Sequence, residues 1–134
     1  MFDLALLNAN QFDMYDQSIK PISMYVSSHK SIAPSDFEAQ KLLPYAKQTH
    51  FVTSTLIDII DDLTYDKEKF VNFVAKLDDD YDLLDEFVKT LNPKIKSHKE
   101  LMEISERILD DLAKAQMELG LIISHNENNA PSAV

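Results

Sequence analysis

The residues with the most distinctive chemistry in this 134-residue chain are its carboxylates. There are 23 Asp and Glu against 13 Lys and Arg, a net charge of −10, and residues 52–91 alone hold eleven carboxylates and four lysines. A surface of this kind favours docking of a basic protein partner, because attraction between charges raises the association rate. The alternative is that these acids form an ordinary solvated helix face, which binds nothing. On helical wheels the acids that lie opposite the apolar positions, and so form the candidate binding surface, are Asp58, Asp62, Asp79, Asp82 and Glu86.

The carboxylates do not have the spacing of a metal site or a hydrolytic site. A di-iron helical bundle needs Glu-x-x-His pairs, and no histidine here has Glu three residues before it. Glu103 and Glu106 form a Glu-x-x-Glu pair, which is one half of the magnesium pattern of all-helical nucleotide pyrophosphatases, but the second half is missing. Gly120 is the only glycine and there is no cysteine, which excludes glycine-rich phosphate loops, disulfides and cysteine-ligated metals. The sequence therefore predicts a non-enzymatic protein without metal or cofactor.

Histidine offers a second kind of chemistry, the transfer of a phosphoryl group. Histidine phosphotransfer modules are acidic helical bundles with an exposed histidine that is followed closely by a lysine and a glycine. His98 is followed by Lys99 but by no glycine, and His50 is followed by Phe51 and Val52. Signalling by phosphotransfer through His98 or His50 is therefore the alternative to partner binding. As purely structural residues, His50 is expected to be partly buried near a helix seam, and His98 to be exposed near a helix end.

Helices must position all of these residues, because the apolar side chains recur at intervals of three and four. The pattern predicts an all-α fold, an antiparallel bundle of four principal helices. We expect a single helical-bundle domain over residues 1–125 and a disordered tail over residues 126–134. The blocks begin near residues 11, 35, 66 and 97, and their apolar stripes include Phe12, Tyr15, Val52, Leu56, Leu77, Leu84, Leu112 and Leu119.

Three places could divide these blocks and raise the number of helices to five or six. Pro21 predicts a kink in the first block, and Pro44 either ends a short helix or begins a new one. The run Asp78-Asp79-Asp80 favours a break, because Asp inside a helix competes with the backbone for hydrogen bonds. The capping-box pattern predicts helix starts at Ser35 with Glu38 and at Ser97 with Glu100.

Charge and hydropathy narrow the classes of partner. A chain of net charge −10, with Arg107 as its only arginine, has the wrong sign for direct binding to nucleic acid or to anionic lipid. No apolar run reaches the roughly 20 residues that span a bilayer, and the N-terminus lacks the features of a secretory signal, so we expect a cytoplasmic protein.

In composition the chain resembles small acidic inhibitors and immunity proteins, which implies a protein that occupies a basic surface of a partner macromolecule. A third hypothesis is a chaperone or assembly subunit that buries an apolar helix face against its partner.

Overall fold

The computed structural model describes residues 4–29 and 32–129, with side chains for residues 12–29 and 32–128. Within these residues the fold is an all-α bundle without strands. The helices are α1 (Leu4–Ser28), α2 (Asp36–Ile59), α3 (Lys67–Thr90) and α4 (Lys96–Asn129), and a short 3₁₀ helix, Ile60–Asp62, extends α2. The predicted bundle of four principal helices is confirmed.

The helices pack in the cyclic order α1, α2, α4, α3. Consecutive helices run antiparallel, whereas α2 and α4 lie side by side in parallel. Their register is fixed by contacts of Asp36 with Ser97 and of His50 with Asp111, both 61 residues apart in the sequence. Since α2 packs on α1 and α4, it lies diagonally across the bundle from α3, and the segment 63–66 connects the two.

The predicted apolar stripes fill the core. Leu56, Leu77 and Leu112 are completely buried, and so is Tyr15, whose ring meets Phe73 edge to face with centroids 5.5 Å apart. Full burial of one such side chain stabilises the fold by about 1.5–3 kcal/mol. The core therefore explains why helices with many exposed acids remain packed.

The start of α2 has the capping box that the sequence predicts. The Ser35 hydroxyl accepts a hydrogen bond from the Glu38 amide at 3.2 Å, and the Glu38 carboxylate accepts one from the Ser35 amide at 3.1 Å. The hydrogen bond from the Ser35 backbone is the main reason why the pKa of Glu38 is lowered. Asp66 caps α3 by accepting from the Lys69 amide at 3.2 Å.

The second capping box, predicted at Ser97, is wrong. Helix α4 begins at Lys96, so Ser97 lies inside its first turn. Instead of capping its own helix, the Ser97 hydroxyl donates to the carboxylate of Asp36 in the first turn of α2. The serine thus joins the starts of two parallel helices.

The helix break predicted at Asp78-Asp79-Asp80 is also wrong. Helix α3 is continuous because the buried Asp80 carboxylate is bound by the hydroxyl of Tyr15 and the ammonium of Lys76, so it does not compete for its own backbone. Pro21 and Pro44 likewise lie inside single helices, α1 and α2.

Helix α4 passes through Gly120 and continues to Asn129. It is therefore helical in the first part of the segment 126–134, for which the sequence predicts a disordered tail. Glu127 forms an ion pair with Lys67 at 2.8 Å, which joins the end of α4 to the start of α3. Residues 130–134 lie outside the described residues.

Candidate functional site

An open groove of about 700 Å³ lies between α3 and the C-terminal end of α1. Its apolar lining includes Val26 from α1 and Leu83 and Phe87 from α3. Ile32, just beyond α1, adds a side chain that is 62% exposed. The groove is in the size range of sites that bind ligands or peptide side chains.

Three of the five predicted binding acids, Asp79, Asp82 and Glu86, line this groove. All three are exposed, and their spacing of three and four residues places them along one face of α3 over about 10 Å. Among the described residues, no ion pair or hydrogen bond engages their carboxylates. Of the described lining residues, Lys89 is the only lysine, and it pairs with Asp85 at 3.3 Å. One edge of the groove therefore carries three carboxylates that have no cationic partner within residues 4–29 and 32–129.

The other two predicted acids, Asp58 and Asp62, lie apart from the groove. Asp58 is exposed near the end of α2, and Asp62 is exposed in the 3₁₀ helix that follows. Since α2 and α3 are diagonal in the bundle, these acids do not extend the acidic edge of the groove. A smaller hollow of about 330 Å³ beside the 3₁₀ helix is lined by Asp61, together with residues of α4. The structure thus divides the candidate acids into two sets, one of which lines a groove.

Asp80, from the same aspartate run, points into the bundle. Its carboxylate accepts a 2.9 Å hydrogen bond from the Tyr15 hydroxyl and lies 3.4 Å from the ammonium of Lys76, which also pairs with Asp16 at 2.9 Å. Burial raises the pKa of Asp80, and the hydrogen bond from Tyr15 and the charge of Lys76 only partly oppose that effect. Burial and the neighbouring Asp80 raise the pKa of Tyr15. This cluster joins α1 to α3 and holds the two helices that form the groove.

His50 lies at the seam between α2 and α4, partly buried, as the sequence predicts. Its Nδ1 is 2.8 Å from Oδ2 of Asp111, and the Ser54 hydroxyl donates to the same oxygen at 2.9 Å. The side chains of His50 and Asp111 are 30% and 12% exposed. Sequence reasoning missed Asp111, because no local pattern relates residues 61 positions apart. Ser54 and His50 both bind Asp111 and not each other, so they do not form a nucleophile-and-base pair.

His98 has a different environment, and the expectation that it is exposed near a helix end is wrong. The side chain is buried, with 2% of the residue exposed. Its Nδ1 accepts a 3.1 Å hydrogen bond from the Asn92 amide, and its Nε2 is buried without a hydrogen-bond partner. The ring is therefore an acceptor for the segment between α3 and α4, and a phosphoryl donor cannot reach it in this fold.

Large apolar side chains are exposed on all four helices. Phe37, Tyr45 and Phe51 lie on α2. The others within helices, among the side chains that the structure describes, are Met24, Val71, Met117 and Leu121. The hypothesis of an assembly subunit stays a prediction.

Comparison with protein-family models, curated proteins and solved structures gives no match to this chain. In the part of the chain that is described, no three or more His, Cys, Asp or Glu side chains group as metal ligands. Residues 4–29 and 32–129 include no helix of the length and apolarity that spanning a membrane requires. Fold and site define a four-helix bundle with an acidic groove, and function has to be argued from the site itself.

Proposed function

We propose that this protein is a non-enzymatic binding protein of the inhibitor or immunity type, and that its groove between α1 and α3 receives a basic segment of a partner protein. The observation that carries this proposal is the row of three carboxylates, Asp79, Asp82 and Glu86, along one edge of an apolar groove. Other acids of the bundle, such as Asp16 and Asp80, are already paired with Lys76.

The chemistry of the groove matches lysine and arginine side chains. Their aliphatic stems can lie on Leu83 and Phe87 while their charged ends bind the carboxylates. Because the acids are spaced three and four residues apart on a helix, they fit a partner helix with cations at the same spacing on one face. The net charge of −10 would steer such a segment toward the protein before contact.

The test compares two variants that lose the same charge. In the groove variant, Asp79→Asn, Asp82→Asn and Glu86→Gln neutralise the edge; in the matched control, Asp58→Asn, Asp61→Asn and Asp62→Asn neutralise three exposed acids elsewhere. Each immobilised protein is incubated with a native lysate, and bound proteins are quantified by mass spectrometry at low and at high salt.

The expected result is a basic partner that the wild type and the control retain, that the groove variant loses by about tenfold or more, and that high salt releases. A partner bound equally by all three proteins, or held equally well at high salt, would contradict the role of the groove acids. Equal loss in both variants would mean that net charge alone attracts the partner.

A further inference from the structure

We propose that His50 is a phosphoacceptor, whose Nε2 takes a phosphoryl group from an acyl phosphate while Asp111 acts as the counter-ion. This inference does not rest on the groove. The His50 site lies between α2 and α4, whereas the groove lies between α1 and α3.

The hydrogen bond to Asp111 sets the tautomer of the neutral imidazole ring. An ionised carboxylate only accepts hydrogen bonds, so the neutral ring carries its proton on Nδ1 and its lone pair on Nε2. The His50 side chain is 30% exposed, and no described residue binds its Nε2. Ser54 donates to the same carboxylate oxygen and holds it in place. The result is a ring held at Nδ1 whose nucleophilic nitrogen has no partner among the described residues.

The reaction needs no base, because the attacking nitrogen has no proton to lose. The Nε2 lone pair attacks the phosphorus of the acyl phosphate, the bond from phosphorus to the acyl oxygen breaks, and the carboxylate leaves. The new N–P bond places positive charge on the ring, while the proton stays on Nδ1. Asp111 stabilises that charge at a hydrogen-bond distance of 2.8 Å.

Three basic residues stand within about one helical turn of His50 or Asp111, on a chain that is otherwise strongly acidic. Lys47 stands three residues before His50 on α2, and Arg107 and Lys114 stand four before and three after Asp111 on α4, so each shares a helix face with its neighbour. All three are exposed. Lys114 pairs with Asp110 at 3.1 Å. We therefore assign the attraction of the donor's phosphate to Lys47 and Arg107.

His98 and His29 each lack one of these features. His98 is buried. The side chain of His29 is more exposed than that of His50, 41% against 30%, but its Nδ1 faces the neutral carbonyl of Tyr25 at 3.0 Å and its Nε2 faces Glu38 at 3.9 Å. The carboxylate of Glu38 would repel an incoming phosphate, so His29 is a natural internal control.

The test incubates the full chain with Mg²⁺ and acetyl phosphate, the simplest acyl phosphate donor. Intact mass at neutral pH measures the uptake of one phosphoryl group, and peptide mapping locates it. We expect uptake at His50, loss of uptake in His50→Gln, and unchanged uptake in His29→Gln. No uptake from acetyl phosphate, or uptake in His50→Gln equal to that of the wild type, would overturn the proposal.

Two further variants separate a built site from chance modification of a surface histidine. Asp111→Asn keeps the shape but removes the counter-ion, and it should slow uptake by roughly tenfold or more. Lys47→Gln with Arg107→Gln should slow uptake several-fold at low salt, with far-ultraviolet circular dichroism confirming the fold of each variant. Uptake at the same rate in Asp111→Asn would contradict the role of the carboxylate and with it the proposal.

Discussion

The hydroxyl of Tyr15 in α1 donates a 2.9 Å hydrogen bond to the carboxylate of Asp80 in α3, 65 residues further along the chain. Both residues are buried. The contact explains why three consecutive aspartates are tolerated in the middle of a helix, since the one that points inward is satisfied by another helix and the two before it face solvent. The same contact holds together the two helices that form the groove.

Removal of the Asp80 carboxylate should destabilise the fold much more than removal of its neighbour. Asp80→Ala leaves the buried Tyr15 hydroxyl and the Lys76 ammonium without that partner, and we expect it to lower the free energy of unfolding by about 2 kcal/mol or more. The exposed neighbour Asp79→Ala should change it by less than about 0.5 kcal/mol. Urea unfolding of both variants measures the difference, and equal effects would show that the contact between the helices adds little.

The stability of the wild type relative to Asp80→Asn should depend on pH. Burial raises the pKa of Asp80 above its ordinary value of 3.8, so the folded state binds this proton more tightly than the unfolded state. The carboxyl group therefore contributes most stability at a pH below 3.8, and that contribution is lost as the pH rises through its folded pKa. Thermal unfolding between acidic and neutral pH should show that the wild type becomes more stable relative to the variant as the pH falls. A relative stability that decreases as the pH falls would mean that the charge of Lys76 affects the pKa of Asp80 more than burial does.

Acidic and apolar residues of the groove should control different rate constants of partner binding. The groove variant at Asp79, Asp82 and Glu86 should lower the association rate constant about tenfold at low salt, with a smaller effect at high salt. Ile32→Ser removes an exposed apolar side chain, so it should mainly speed dissociation. Surface plasmon resonance with the captured partner separates the two constants, and Val71→Ser, exposed outside the groove lining, is the control. An unchanged dissociation rate in Ile32→Ser would remove that residue from the interface.

Gly120 should be a site at which the fold can be made more stable. It lies within α4, and apart from its chain neighbours and the backbone of its own helix, no described atom comes within 4 Å of the position that a Cβ atom would take. Gly120→Ala should raise the free energy of unfolding by about 0.5–1 kcal/mol, because alanine favours the helix and glycine does not. The exposed Ala113→Gly in the same helix should have the opposite effect. A loss of stability in Gly120→Ala would contradict this prediction.

Local patterns in the sequence were sufficient to predict the helices but not their relations to one another. The intervals between apolar residues correctly placed Tyr15 and Leu77 in the core, and the capping box at Ser35 was recognisable because all of its parts lie within four residues. The sequence wrongly predicts a helix break at Asp80, because the hydrogen-bond partner of Asp80, Tyr15, belongs to another helix. The prediction that Ser97 caps α4 fails for the same reason, because its hydroxyl donates to Asp36 of α2.

The candidate sites show the same limit. Helical wheels brought Asp79, Asp82 and Glu86 together correctly, because they share one helix. Helical wheels could not show that Asp58 lies on α2, which is diagonal to α3 in the bundle. They also could not show that a groove runs beside α3. The partner of His50 was equally hidden, since the pairing with Asp111 depends on the parallel register of α2 and α4.

The contacts of Tyr15 with Asp80, Asp36 with Ser97 and His50 with Asp111 each join one of the first two helices to one of the last two. Neither half of the chain contains both members of any of these pairs, and each half alone would expose the apolar stripes that face the other. Unfolding should therefore be a single cooperative transition. For the same reason, a nick in the segment 63–66 should leave two fragments that stay associated and can reconstitute the bundle without a peptide bond between them.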